Sequence, residues 1–175
     1  MKNFLIPKEL LKETKIYIGT NSNNYLKNLL SSEKLLIITS KSGRLRFLKK
    51  YSFLNINSSK FIDKVNDYPT INLADRIFKF LEKKNYSTII AYGGGSVMDF
   101  AKIIKIFLEI NKKITVKNLI QNLNTYKLKR KINLIAIPTT AGTGSEVTNF
   151  ATLWDSIRKK KLSLESKNMF PNSAI

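Results

Sequence analysis

Apolar positions along the chain alternate between two patterns: short β-branched runs bounded by turn residues, and longer stretches in which apolar residues recur at helical spacing. The runs predict buried strands, and their alternation with amphipathic helices predicts a parallel sheet of the α/β class. KIYIG at 15–19 reads as a first short strand, followed by a polar loop and the helical YLKNLL at 25–30. KLLIITS at 34–40 is a buried strand, and GRLRFLKKY at 43–51 follows it with Leu45, Leu48 and Tyr51 at helical spacing. PTINLADRIFKFLEKKNY at 69–86 opens with proline, a favoured helix-starting residue, and places Leu73, Ile77, Phe80 and Leu81 on one face.

STIIAY at 87–92 is the next buried strand and leads directly into three glycines, after which Val97, Ala101, Ile104 and Leu108 form a helical stripe. INLIAIPTT at 132–140 is another buried strand and ends in proline and hydroxyls. NFATLWDSIRKKKLSLES reads as two strands joined by a charged turn, a hairpin over 149–165. Neither a repeat nor a low-complexity linker interrupts the order, so residues 1–175 are expected to form a single domain.

Composition narrows the chemistry. At 43% apolar and 25% charged the chain is an ordinary globular one, so disorder along its whole length is not expected. There is no cysteine and no histidine, which excludes thiolate or imidazole metal sites, a cysteine nucleophile and the usual serine triad. The first residues carry Pro7 among alternating charges instead of the apolar core of a signal peptide. As no apolar run reaches membrane-spanning length either, a soluble, cytoplasmic protein without a membrane partner is expected. The net charge of +19 would suit nucleic acid, but the lysines are spread over nearly every segment instead of forming a stripe, so the expectation is no nucleic acid and, instead, small anionic ligands such as phosphates.

Two motifs carry that expectation. In AYGGGSVMDFAK, Gly93, Gly94 and Gly95 end a strand and Ser96 opens a helix. Backbone amides without a Cβ in the way, beside the positive end of a helix dipole, bind phosphate. Ser96 followed by Asp99 also fits the S-x-x-[DE] capping pattern, so on these residues alone a tight capped turn and a phosphate site are equally compatible. The stretch has neither the GK[ST] ending of a P-loop nor the G-x-G-x-x-G spacing of the common dinucleotide fingerprint. The second motif, PTTAGTGSE at 138–146, follows a separate buried strand and offers the hydroxyls of Thr139, Thr140, Thr143 and Ser145, with Gly142 and Gly144 allowing close backbone approach. Ligands of open α/β sheets sit beyond the carboxyl ends of the strands, which is where both turns would lie.

The pair GGGS-x-x-D-x-A-K and PTT-x-GTGSE resembles the iron-containing (group III) alcohol dehydrogenases, over essentially the whole chain. Dehydroquinate synthase and glycerol-1-phosphate dehydrogenase share a related glycine turn but fit the second motif less well. FATLWD and KKKLSL resemble most the branch that includes phosphonoacetaldehyde reductases. The resemblance implies a Rossmann-like open, mainly parallel sheet with helices on both faces and a C-terminal β-hairpin, binding NAD(H) or NADP(H). It implies that Gly93, Gly94, Gly95, Ser96 and Asp99 bind the cofactor, Gly94, Gly95 and Ser96 holding its pyrophosphate with Asp99 close by. Thr139, Thr140, Thr143 and Ser145 would line the adenosine and nicotinamide side, and Lys161 would reach the ribose.

Ser40, followed by Lys41 and Arg44, stands where NAD-using relatives often carry an acidic residue for the adenosine ribose; that exchange favours a 2′-phosphate and NADP(H). Tyr68 stands where relatives often have asparagine. In the family an all-helical C-terminal domain supplies one acidic residue and three histidines to a divalent metal, iron or zinc, that polarises the substrate oxygen. That domain is expected to be missing here, so the chain would supply only the cofactor half of hydride transfer between nicotinamide and a small alcohol or aldehyde. The alternative is a non-catalytic nucleotide-binding fragment or one subunit of a split enzyme. With the floor of its cleft uncovered, the domain is expected to be poorly soluble or to self-associate as a homo-oligomer.

Overall fold

The computed structural model describes residues 13–19, 22–29, 34–54, 56, 59–65 and 68–175. In chain order the elements are β1 (Lys15–Ile16), α1 (Ser22–Leu29), β2 (Leu35–Thr39), α2 (Lys41–Lys50), β3 (Lys60–Ile62), α3 (Ile71–Leu81), β4 (Thr88–Gly93), α4 (Gly95–Ile110), α5 (Val116–Asn122) and β5 (Asn133–Pro138). A 3₁₀ turn (Ser145–Val147), β6 (Phe150–Asp155), β7 (Lys160–Glu165), a second 3₁₀ turn (Lys167–Met169) and β8 (Ser173–Ala174) complete the described chain.

Six strands form one all-parallel sheet in the order β1-β8-β5-β4-β2-β3, and β6 and β7 pair as a separate antiparallel hairpin. Because successive side chains of a strand point to opposite faces, the continuous apolar runs feed two cores. Leu36, Ile38, Ile89, Ala91, Leu134 and Ala136 pack beneath α3, α4, α5 and the hairpin. Leu35, Ile37, Ile90, Tyr92, Ile135 and Ile137 pack against Leu26 of α1 and against Phe47 and Tyr51 at α2. The expected Rossmann-like α/β sheet, with helices on both faces and a C-terminal hairpin, is present.

Several local expectations are corrected. The first strand is two residues long instead of five, since its partner β8 is equally short. On α2, Leu45 is 70% exposed and Phe47 is fully buried, because the sheet-facing stripe runs through Gly43, Phe47 and Tyr51. On α3 the buried face is Leu73, Ala74, Phe78 and Leu81; Phe78 stacks on Phe107 at 4.0 Å, while the more exposed Phe80 lies under the Lys60 ammonium at 5.5 Å. Helix α4 is buried nearly all round, not along one stripe, as the hairpin and second 3₁₀ turn cover the side away from the sheet. The strands β3 and β8 and the helix α5 were not among the expected elements.

The topology makes one crevice. From β2 the chain leaves through α2 on one face, and from the adjacent β4 it leaves through α4 on the other. The loops after β2 and β4 therefore diverge at their carboxyl ends, which is the switch point at which open α/β sheets bind ligands.

Candidate functional site

Tyr92 ends its pairing with Thr39, whose hydroxyl donates to the Tyr92 carbonyl at 2.7 Å, and the chain then enters the glycines. Beside them, Thr139 N donates to the Gly93 carbonyl at 2.9 Å, so the hydroxyl loop after β5 leans directly on the glycine turn. That lean requires the glycines. A Cβ on Gly94 would meet Thr140 Oγ1 at 2.9 Å, and one on Gly95 would meet Thr143 Cγ2 at 3.0 Å. The bare backbone is thus a condition for packing the two turns together at the amino end of the 16-residue α4. No acidic residue occupies the first turn of α4, so its positive dipole end is not offset there.

The expected capping role of Ser96 is not found. Gly94 is the cap of α4, without a side-chain hydrogen bond, and Ser96 already lies inside the helix. Asp99 turns away to the hairpin side: its carboxylate accepts from Ser145 Oγ at 2.6 Å and from Thr152 N at 3.0 Å. Below it lies Lys102, the last letter of the first motif, fully buried. Its Nζ donates to Ser145 Oγ at 3.0 Å, Thr148 Oγ1 at 3.0 Å and the Phe150 carbonyl at 2.6 Å, with the Asp99 carboxylate 4.0 Å away. Burial pushes this ammonium down to about 8, against the opposing pull of Asp99 and Glu146.

A cavity of about 510 Å³ opens between α4, the loop after β5 and the hairpin. Of the sequence-predicted residues, Gly95, Ser96, Asp99, Thr143, Ser145 and Lys161 line it. Ser40, Gly93, Gly94, Thr139 and Thr140 lie outside that lining, at or next to the carboxyl edge of the sheet. Ser40 caps α2, accepting from Gly43 N at 3.1 Å, and Arg44 is held by Asp63 at 2.8 Å with its guanidinium 4.8 Å from the Phe61 ring centroid. Arg44 in turn keeps the Asp63 carboxyl below its ordinary range.

The opposite wall was largely missed by sequence reasoning. Trp154 N donates to the Pro69 carbonyl at 2.8 Å, which fastens the hairpin to the start of α3. Lys161 stands across from Trp154 in the hairpin register, its ammonium 6.0 Å from the ring of Tyr68, and Tyr68 itself tilts against Trp154 at 6.3 Å. Tyr68 and Trp154 line the cavity with Thr148, Phe150 and Thr152. Of this wall, the sequence singles out only Lys161 and the position of Tyr68.

The arrangement suits an extended anion with ring systems: a helix amino end with no acidic residue in its first turn on one wall, hydroxyls in the middle, and a lysine among aromatic rings on the other. It does not suit a metal ion. Among the described residues no three His, Cys, Asp or Glu side chains cluster, and the sequence has neither histidine nor cysteine.

Comparison with known proteins agrees with this architecture. The family model of the iron-containing alcohol dehydrogenases matches residues 13–175. An aldehyde-alcohol dehydrogenase of Streptococcus pneumoniae is 31% identical over 93% of this chain and 20% of its own length. An NADPH-dependent butanol dehydrogenase of Clostridium saccharobutylicum is 28% identical over 100% of this chain and 44% of its own. The crystal structure of an iron-containing alcohol dehydrogenase from Thermotoga maritima superposes with a TM-score of 0.72 at 29% identity, covering 93% of this chain and 45% of that one. The chain therefore spans less than half the length of these relatives. By fold, motifs and match over nearly its whole length, it belongs to the iron-containing alcohol dehydrogenase family.

Proposed function

We propose that this chain is the dinucleotide-binding half of an NAD(P)-dependent alcohol dehydrogenase or aldehyde reductase, in which hydride passes between a nicotinamide and a small alcohol or aldehyde. The observation that carries this reading is the convergence of two glycine and hydroxyl turns at the carboxyl ends of β4 and β5, beside the switch point of the sheet and facing a lysine on the hairpin. In the proposed pose the pyrophosphate lies against the amides of Gly93, Gly94, Gly95 and Ser96 at the amino end of α4. Thr139, Thr140 and Thr143 border the nucleoside on the sheet side, Lys161 reaches a ribose, and Ser145 and Asp99 shape the floor. A bound nicotinamide supplies the hydride; the residues of this chain hold it in place and line its cleft.

The adenosine end falls to Ser40 and its neighbours. A serine with Lys41 beside it accepts a 2′-phosphate better than a carboxylate would, which favours NADP(H) over NAD(H). Arg44 is already paired with Asp63, so most of that preference rests on Lys41. The Clostridium relative is described as NADPH-dependent, in keeping with this choice.

The metal expected of the family has no ligand set among the described residues, and no step is assigned to it. The test is a calorimetric titration with NADPH and with NADH. Binding, tighter for NADPH, is the expected result; binding of neither at millimolar concentration would refute the proposal. The 175-residue chain alone is expected not to oxidise NADPH with a short aldehyde, and steady oxidation insensitive to chelators would contradict that.

A further inference from the structure

Resting on the dinucleotide reading above, we infer that Lys102 is a positioning residue for the cleft: its ammonium fixes the wall made by Ser145, Thr148 and Phe150 against α4 in the arrangement that accepts the cofactor. The geometry is specific. A lysine with no exposed surface lies beneath the cavity and directs its Nζ at three oxygens, all belonging to cavity-lining residues. Those residues come from the 3₁₀ turn, the loop after it and the first position of β6, so one nitrogen ties three successive pieces of the wall to one helix. Among the ionisable groups, Asp99 on α4 and Glu146 on the 3₁₀ turn act on Lys102, while Thr148 and Phe150 offer it uncharged oxygens.

Proton counting gives the inference its test. Ser145 Oγ spends its own proton on Asp99, and a carbonyl cannot donate, so both Ser145 and Phe150 must accept from Lys102. An ammonium has three N–H donors and serves Ser145, Phe150 and Thr148 together. A neutral amine has two, so the third contact survives only if the Thr148 hydroxyl reverses and donates. With the ammonium at about 8, this change falls between pH 7 and 9. Replacing Thr148 by valine removes the third acceptor, and a two-donor amine then suffices at either pH.

The experiment has two arms. In the first, NADPH affinity is measured at pH 7 and pH 9 for the wild-type chain, Thr148→Val and Lys102→Met. The wild type should lose about fivefold, the worth of one ordinary hydrogen bond, while Thr148→Val stays level across the same range. Lys102→Met should bind more weakly and without pH dependence. A direct contact between Thr148 and the cofactor would weaken Thr148→Val at both pH values and leave the slope in place. A flat wild type, or a parallel fall in Thr148→Val, overturns the inference. The second arm needs no nucleotide, so it separates this inference from the dinucleotide reading, and it uses Thr148→Val in case Lys102→Met does not fold. The amide signals of Ser145, Thr148 and Phe150 are followed by NMR against pH. They should move together with a midpoint near that of Lys102 in the wild type and by much less in Thr148→Val. Independent or absent movement in the wild type overturns the assignment.

Discussion

The two sides of the switch-point crevice are built in opposite ways. On the β2 side, Ser40 caps a helix and Arg44 pairs with Asp63 at the surface, their side chains 46% and 25% exposed. On the α4 side, Asp99, Lys102 and Ser145 form a chain of hydrogen bonds whose lysine is fully buried. Both sides hold an acid–base pair, yet the medium differs. Water competes with and screens the first, whereas the second loses its partners' hydrogen bonds with nothing to replace them. Identity can therefore drift on the β2 side, where cofactor preference is proposed to reside, while the α4 side holds the cleft together.

The largest effect should come from Asp99→Ala. It leaves Thr152 N–H and the Ser145 hydroxyl without their acceptor and Lys102 without its nearest carboxylate. A loss of about 2–4 kcal/mol is expected in urea unfolding; a loss as small as that of a surface substitution would erase the contrast between the two sides.

Lys102 sharpens the comparison through pH. Its folded value lies below its ordinary 10.5, so between about 8 and 10.5 the unfolded chain keeps a proton that the folded chain has released. Its contribution to stability therefore rises with pH through that window, as the cost of burying a charge is relieved. Subtracting the pH profile of Lys102→Met isolates the slope. Stability and cofactor affinity should thus move in opposite directions above pH 8, a pattern that a general alkaline loosening would not produce.

The smallest effect is expected from Arg44→Met, at or below about 1 kcal/mol and shrinking further in salt. Arg44 lowers the Asp63 carboxyl, so the pair's contribution is present above the ordinary 3.8 and is lost as pH falls through the folded value. The variant should lose that acid-side dependence and little else, as read from thermal melts at pH 3 and pH 7.

What was legible in the sequence follows the same division between local and distant causes. The strands β2, β4 and β5 announce themselves because burial on both faces demands continuous apolar runs. The two turns announce themselves because close packing demands glycine and hydroxyl residues. By contrast, β3 and β8 span three and two residues, too few to carry a period, and are strands only because neighbours present open edges. The buried faces of α2 and α3 depend on where the sheet lies, so Leu45 and Phe80 were placed inward on spacing alone. Lys102 was in plain view in the first motif, but a lysine at helical spacing reads as solvent-facing until the hairpin is seen to cover it. Tyr68 and Trp154 share the cavity only because Pro69 and Trp154 are bonded across the fold. The three glycines open the question of the site, and the residues that answer it lie on three other segments.

The central claim, that this crevice holds a dinucleotide, is tested most directly by the fluorescence of Trp154, the single tryptophan of the chain and part of the cavity wall. Its emission overlaps the absorption of reduced nicotinamide, so NADPH seated between α4 and the hairpin should quench Trp154 saturably and take up its energy. Gly95→Val, which fills the approach beside Thr143, should abolish the signal, while Arg44→Met keeps it. A signal that persists unchanged in Gly95→Val, or no saturable quenching in the wild type, would contradict the account.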